Sequence, residues 1–218
     1  MELIALFRRG LIPGPHETED EFLMRVSKRE ALPDWNGIKP LPASWGFSID
    51  WVPLHFSSKK LLPWEGAVFW EGPLIQIRPA LQNGTLFGNT LEDLLHHESI
   101  HAAREAFDEP MFEEVLAYSV SRSPWKRLMG PLFERTWEFP IFALAIFFLS
   151  FIPLIAGLIL LFFGSRLFYK QLLFYRVKKK YPLSIILCLT DQEIRSQKVM
   201  ITGHSPRVRL LSQLLQLH

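Results

Sequence analysis

The chain has 218 residues, enough for one domain with a sizeable buried core and additional segments. Its formal net charge is +2 at pH 7, so no strong overall field favours nucleic acid as a partner, and we expect none. Cys188 is the single cysteine, which excludes an internal disulfide and a cysteine-built zinc site. Residues 1–9 carry their basic pair after their apolar residues, the reverse of a secretory signal, so we expect no cleaved signal.

Residues 1–89 are predicted to form the N-terminal scaffold of a larger domain. Thr18 and Glu21 have the Thr-x-x-Glu spacing of a capping box, which predicts the start of a helix. Residues 67–70 and 74–78 have the apolar and β-branched character of two short strands. A Glu-Gly-Pro turn separates them, so we predict a hairpin.

Residues 90–135 are predicted to form a pair of helices. Thr90 can cap the first helix, with Asp93 at the reciprocal position of the capping box. This helix should run to about Phe107, because Pro110 disfavours a helical residue before it. The second helix should begin near Pro110, since proline is tolerated in a first turn.

The stretch 139–165 contains no charged residue. Because about 20 apolar residues are enough to cross the hydrocarbon core of a bilayer, we predict that these 27 residues are embedded in a membrane. Two arrangements are open: a single tilted span, or a helical hairpin that turns near residues 150–153 and has arms too short for two crossings.

Basic residues flank the apolar stretch on both sides. Residues 166–180 contain six basic and no acidic residues, which predicts that residues 166–218 form a basic tail on the cytoplasmic side. Residues 122–135, on the other flank, are also mainly basic. A hairpin would keep both flanks in the cytoplasm, whereas a single span would place the preceding part of the chain outside. We favour a domain that faces the cytoplasm.

His97, Glu98 and His101 form a His-Glu-x-x-His motif on the first predicted helix. Residues four apart on a helix project from one face, so both imidazoles can reach one ion at about 2.0–2.1 Å. Glu98 is displaced around the helix, too far to ligate that ion but able to contact a water bound to it. Zinc lowers the pKa of such a water toward about 7, so Glu98 is predicted to accept its proton.

A third ligand is predicted from the second helix, after the chain reverses at residues 108–110. With a rise of about 1.5 Å per residue, His101 and Glu114 lie at heights that differ by about 4–5 Å. Glu113 passes the same test. Helical phase does not separate the two acids, because both flank the same apolar face.

The two motifs together resemble the gluzincins, a clan of zinc metallopeptidases, over about residues 90–120. In that clan the second helix supplies a glutamate ligand that is often followed three residues later by alanine. Glu114 and Ala117 match this pattern, so the resemblance selects Glu114 rather than Glu113 as the third ligand.

The resemblance has further implications and two departures. It implies an edge strand for extended substrate just upstream of the motif helix, where residues 74–78 lie. The 12 residues between His101 and Glu114 are fewer than in the thermolysin-like members. Tyr118 stands where several members have an aspartate that orients a histidine ligand, so the sequence does not name that orienting partner.

The sequence thus predicts an α+β protein, with a zincin-like catalytic domain, a small sheet and a two-helix metal site, followed by a membrane-embedded helical segment. The predicted function is a membrane-bound zinc metalloendopeptidase in which His97, His101 and Glu114 hold Zn²⁺ and Glu98 is the general base. Its expected partners are membrane-associated protein or peptide substrates and the lipid bilayer. Two alternatives stay open: another zinc hydrolase, such as an amidase, and a catalytically silent membrane scaffold that keeps the helical pair for packing.

Overall fold

The structure is a computed structural model that describes residues 2–29, 47, 49, 51–70, 72–86 and 88–217. Within these residues the protein is a mixed α+β structure, as predicted, in which a small sheet packs against helices. The strands are β1 (Leu54–Phe56), β2 (Ala67–Trp70) and β3 (Leu74–Ile77). The helices are α1 (Leu3–Arg8), α2 (Glu19–Lys28), α3 (Leu91–Ala103), α4 (Glu113–Ser119), α5 (Pro124–Met129), α6 (Glu138–Phe148), α7 (Pro153–Lys178), α8 (Leu183–Ile186), α9 (Asp191–Ser196) and α10 (Pro206–Gln216).

The sheet has the strand order β1-β3-β2. β2 and β3 pair antiparallel, with Phe69 opposite Ile75, which confirms the predicted hairpin. β1 pairs parallel with the other side of β3, where Leu54 lies opposite Ile75. The resemblance implied that residues 74–78 form an edge strand. This prediction is wrong, because β3 is hydrogen-bonded to β1 on one side and to β2 on the other. Among the described strands β2 is the edge that packs on α3.

Both predicted capping boxes at the first two long helices are present. The Thr18 hydroxyl accepts from the Glu21 N–H, and the Glu21 carboxylate accepts from the Thr18 N–H. Thr90 and Asp93 make the same reciprocal pair at the start of α3. These short-range bonds satisfy N–H groups that a helix start leaves without intrahelical partners.

The reversal between α3 and α4 is longer than predicted. α3 ends at Ala103, not near Phe107, because the chain turns there and the Phe107 N–H donates to the Arg104 carbonyl. α4 begins at Glu113, not near Pro110. The Asp191 carboxylate accepts from the N–H groups just before α4, so a contact distant in sequence sets this start.

One hydrophobic core contains residues from both sides of the apolar stretch 139–165. Ile75 and Leu95 precede that stretch, Ile186 and Leu210 follow it, and all four are fully buried in the same cluster. The sequence predicts a basic tail for residues 166–218. In the structure their apolar side chains, from α8 to α10, complete the core instead of extending from it.

The uncharged stretch forms two helices that pack on each other, α6 and the first half of α7. A short turn at residues 149–152 joins them. Among the described helices, α7 is long and apolar enough to cross a membrane by length and composition. Most of the large apolar side chains on α6 and on the first half of α7 are exposed.

If the C-terminal residues complete the core, Ile186→Ala should lower the free energy of unfolding by about 2–5 kcal/mol, the cost of deleting a buried aliphatic side chain. Leu217→Ala is the matched control, since this leucine is 65% exposed and should change stability by less than about 0.5 kcal/mol. Denaturant unfolding of the detergent-solubilised chain measures both. Equal effects of the two substitutions would contradict the shared core.

Candidate metal centre

Three side chains that the sequence selected as ligands lie together between α3 and α4. The Nε2 atoms of His97 and His101 are 3.1 Å apart. The Glu114 carboxylate lies 3.6 Å from His97 Nε2 and 3.5 Å from His101 Nε2. His97, His101 and Glu114 therefore form a group that could hold a metal ion.

The Glu114 carboxylate presents a different oxygen to each histidine, Oε2 to His97 and Oε1 to His101. With bonds of about 2.0–2.1 Å, two ligand atoms of a tetrahedral ion are about 3.3–3.4 Å apart. The separations within the group are of this size, so one small metal ion could contact both imidazoles and the carboxylate.

Glu113 has a different role from Glu114. Its Oε1 atom lies 3.2 Å from His101 Nδ1, the ring nitrogen that faces away from the ligand cluster. Metal-binding histidines usually donate this second N–H to a carboxylate or carbonyl, which fixes the ring and raises its basicity. Glu113 is thus the orienting partner of His101 that the sequence left unnamed.

Arg104 holds Glu113 in place. Its Nε donates to Glu113 Oε2 at 2.8 Å, and its side chain is fully buried. The same guanidinium donates to the carbonyls of Leu187 and Leu189 and stacks on the Phe107 ring at 4.0 Å. In the sequence, Arg104 lies three residues after the second motif histidine, but its two carbonyl partners are 83 and 85 residues away, so its role could not be predicted from the local sequence.

His97 is restrained by packing. Its ring contacts the Tyr118 ring edge-on, with centroids 4.5 Å apart. Gly130 makes room for that tyrosine, because a Cβ there would lie 2.3 Å from the Tyr118 ring. The His97 Nδ1 atom is buried and has no hydrogen-bond partner among the described residues. Tyr118 thus supports the ring without replacing the aspartate of the gluzincins.

Glu98 is buried and points toward the sheet. Its Oε2 atom accepts a hydrogen bond of 2.8 Å from the Phe69 N–H of β2. Burial raises the pKa of the Glu98 carboxyl, although the charge of His101 and the Phe69 bond act in the opposite direction. Buried carboxyls with a shifted pKa are typical of functional sites.

The charges of the candidate ligands are coupled to one another. Burial, with the charge of His101, holds the pKa of His97 well below its usual value. Burial also opposes the charged form of His101, but the Glu113 bond and the Glu114 charge outweigh it and raise that pKa to about 10. Burial raises the pKa of Glu114 to about 7. A proton held at His101 thus offsets the charge of the neighbouring carboxylates, and a metal ion would have to displace this proton to bind.

No family model, curated protein sequence or solved structure matches the chain. The resemblance to the gluzincins therefore rests on the two motifs and on the group formed by His97, His101 and Glu114.

Substitutions of the adjacent glutamates should separate a ligand from its support. Glu114→Ala removes a donor, so the purified chain should lose stoichiometric metal. Glu113→Gln keeps all three donors but weakens the orientation of His101, so the metal dissociation constant should rise by about 10–100-fold. Elemental analysis and competition with a chelator measure the two effects.

Glu105→Gln is the control for this pair, because Glu105 lies just beyond α3 and bonds to Arg25 and Arg29, away from the donors. It should leave the metal content unchanged. Full metal occupancy in Glu114→Ala, or complete loss in Glu113→Gln alone, would show that the two roles are assigned the wrong way round.

Proposed function

We propose that the protein is a membrane-attached zinc metallopeptidase. The observation that carries the proposal is the convergence of His97, His101 and Glu114, with Glu98 one residue after the first ligand on the same helix. Two histidines and a glutamate form the donor set of catalytic zinc sites that keep one coordination position open. The two imidazole donors support zinc over magnesium, calcium and manganese, which prefer carboxylate, carbonyl and water oxygens.

Zinc, when bound, would supply a Lewis acid and lower the pKa of water in the open position. The protein's own contribution is the placement of Glu98. The Phe69 N–H holds one oxygen of that carboxylate at 2.8 Å, and we assign the other oxygen, Oε1, to accept the proton from the attacking water. Glu98 would then return this proton to the leaving amine.

We assign the binding of extended substrate to β2. Phe69 of β2 directs its N–H toward Glu98, so this edge of the strand faces the proposed catalytic carboxylate. Alternate residues of an antiparallel strand direct their backbone groups to opposite edges, so Ala67 and Phe69 share the edge away from β3. Addition of a peptide as a further strand is a common mode of recognition.

The candidate site lies close to the start of the apolar helical hairpin that α6 and the first half of α7 form. This position favours membrane-associated substrates. The Trp64 ring, just before β2, contacts the Phe139 ring of α6 with centroids 5.3 Å apart. The charge of Lys170 on α7 acts on Glu114. A bilayer around the hairpin would therefore hold the catalytic groups near chains that emerge from the same membrane.

Glu98→Gln tests the mechanism. The amide keeps the shape of the side chain but cannot accept the proton, so the rate of peptide-bond hydrolysis should fall by about 10²–10⁴-fold or more. Zinc content should not change, because no ligand is lost. The measurement is cleavage of a membrane protein in detergent or vesicles, with a zinc chelator as a second means of abolishing it.

Glu92→Gln is the matched control on α3, because Glu92 pairs with the exposed Arg122 at 2.8 Å. It should cleave at the wild-type rate. If Glu98→Gln is as fast as wild type, the mechanism is wrong whatever metal is bound. Zinc with amide or ester hydrolysis but no cleavage of peptides would favour another zinc hydrolase. A chain that binds no zinc would be a scaffold.

A further inference from the structure

The start of α6 and the middle of α7 are joined by a bidentate ion pair. Arg166 donates to the two carboxylate oxygens of Glu138 at 2.7 and 2.6 Å, although the residues are 28 positions apart in the chain. In a single straight helix that spanned the membrane, 28 residues would separate them by about 42 Å. The contact therefore requires the intervening chain to leave and return to the same level.

A second ion pair joins α7 to the segment just before α6. Lys170, one turn further along α7, pairs with Glu134, which precedes α6. Arg166 also lies 3.2 Å from Glu134 and donates to the Leu132 carbonyl at 2.9 Å. We call Glu134, Glu138, Arg166 and Lys170 the basal clasp. Its charges mark where the hairpin emerges from the folded domain.

The second half of α7 is part of that domain. Leu173, Phe174 and Val177 are buried in the core that also contains residues of α3 and of the sheet. α7 has the length and composition of a span. However, a helix whose second half packs in the core beside the basal clasp cannot place that half in lipid. Its lipid-accessible part is the segment before Arg166.

The hairpin beyond the basal clasp exposes a continuous apolar surface. Leu154 is 75% exposed and Phe151, at the turn, is 71% exposed. Exposed apolar surface on this scale is rare in a soluble monomer, and residues 139–165 carry no charge that would favour water. Trp137, the residue before Glu138, is exposed at the base of the hairpin, as expected for a tryptophan at a membrane interface.

The length of the arms matches one leaflet. Residues 139–148 of α6 extend about 15 Å and residues 153–165 of α7 about 20 Å, against about 15 Å for half of the hydrocarbon core. Backbone groups at the turn are bonded internally, since the N–H groups of Phe151 and Ile152 both donate to the Phe148 carbonyl. Such bonding is what a turn in hydrocarbon requires, because no water is present to accept these bonds.

We propose that α6, the turn and the first half of α7 form a re-entrant hairpin inserted in one leaflet, and that the chain on both sides of it lies on the same face of the membrane. The occupant of the apolar surface is lipid hydrocarbon. The shared core requires the common face, because Arg104 before the hairpin bonds to Leu187 and Leu189 after it. This topology rests on the membrane attachment of the proposed function and is independent of the metal.

Single cysteines at Asp20, Lys179 and Phe151 test the topology in the full-length chain. They report on the domain before the hairpin, the domain after it and the turn, and all three positions are exposed. Wild type sets the background, because burial raises the pKa of the Cys188 thiol to about 12 and keeps it protonated. A membrane-impermeant maleimide is added to intact cells and, separately, to sealed inside-out vesicles.

The Asp20→Cys and Lys179→Cys variants should be labelled from the same side, at least about tenfold more than from the other. Phe151→Cys should be labelled from neither side until detergent opens the membrane. Labelling of Asp20→Cys and Lys179→Cys from opposite sides would establish a single span and overturn the hairpin. Labelling of Phe151→Cys from the far side would also overturn it.

If alkaline carbonate extracts the wild-type protein from membranes, lipid does not cover the apolar surface of the hairpin. Disulfide-linked dimers of Phe151→Cys in that extract would identify a second copy of the chain instead. Zinc content measured on the same preparations keeps the two proposals apart. Labelling of both domain positions from the same side, in a preparation without zinc, would contradict only the proposed peptidase. Labelling from opposite sides, in a preparation that contains zinc, would contradict only the proposed hairpin.

Discussion

The buried guanidinium of Arg104 joins the two halves of the structure. On one side it bonds to Glu113, which orients His101; on the other it bonds to the carbonyls of Leu187 and Leu189. A buried charge is costly unless it is paired and hydrogen-bonded, so these partners must be present together. The order of the candidate metal site thus depends on the folding of the C-terminal segment, although the three candidate ligands all precede that segment.

This dependence makes the domain discontinuous in sequence. The chain builds the sheet, α3 and α4, leaves the domain as an apolar hairpin, and returns to complete the core with α8 to α10. Insertions are tolerated where the ends of the inserted segment are close in space, and the Glu138–Arg166 pair brings the two ends together. The hairpin can therefore be surrounded by lipid while the domain keeps a single core.

The two adjacent glutamates of α4 contact different groups of the candidate site. Glu114 faces both histidine Nε2 atoms, whereas Glu113 faces His101 Nδ1 and Arg104. Neighbours on a helix point about 100° apart, so one turn can supply a ligand and the support of another ligand. Arg104 and His101 hold the pKa of Glu113 below its usual value against the effect of burial, while burial raises that of Glu114. The contrast follows from the Arg104 guanidinium, which pairs with Glu113.

Features that depend on residues close together in the chain could be predicted from the sequence. The boxes at Thr18 and Thr90, the β2–β3 hairpin, and the facing of His97 and His101 follow from bonds or spacings within a few residues. Features that depend on distant partners became visible in the fold. They include the end of α3, the start of α4 beside Asp191, the pairing of β3 with β1, and the bond between Glu113 and Arg104. The packing of the C-terminal chain in the core also belongs to this second group. The apolar pattern of α8 to α10 indicates that one face of each helix is buried, but it does not identify the elements on which that face packs.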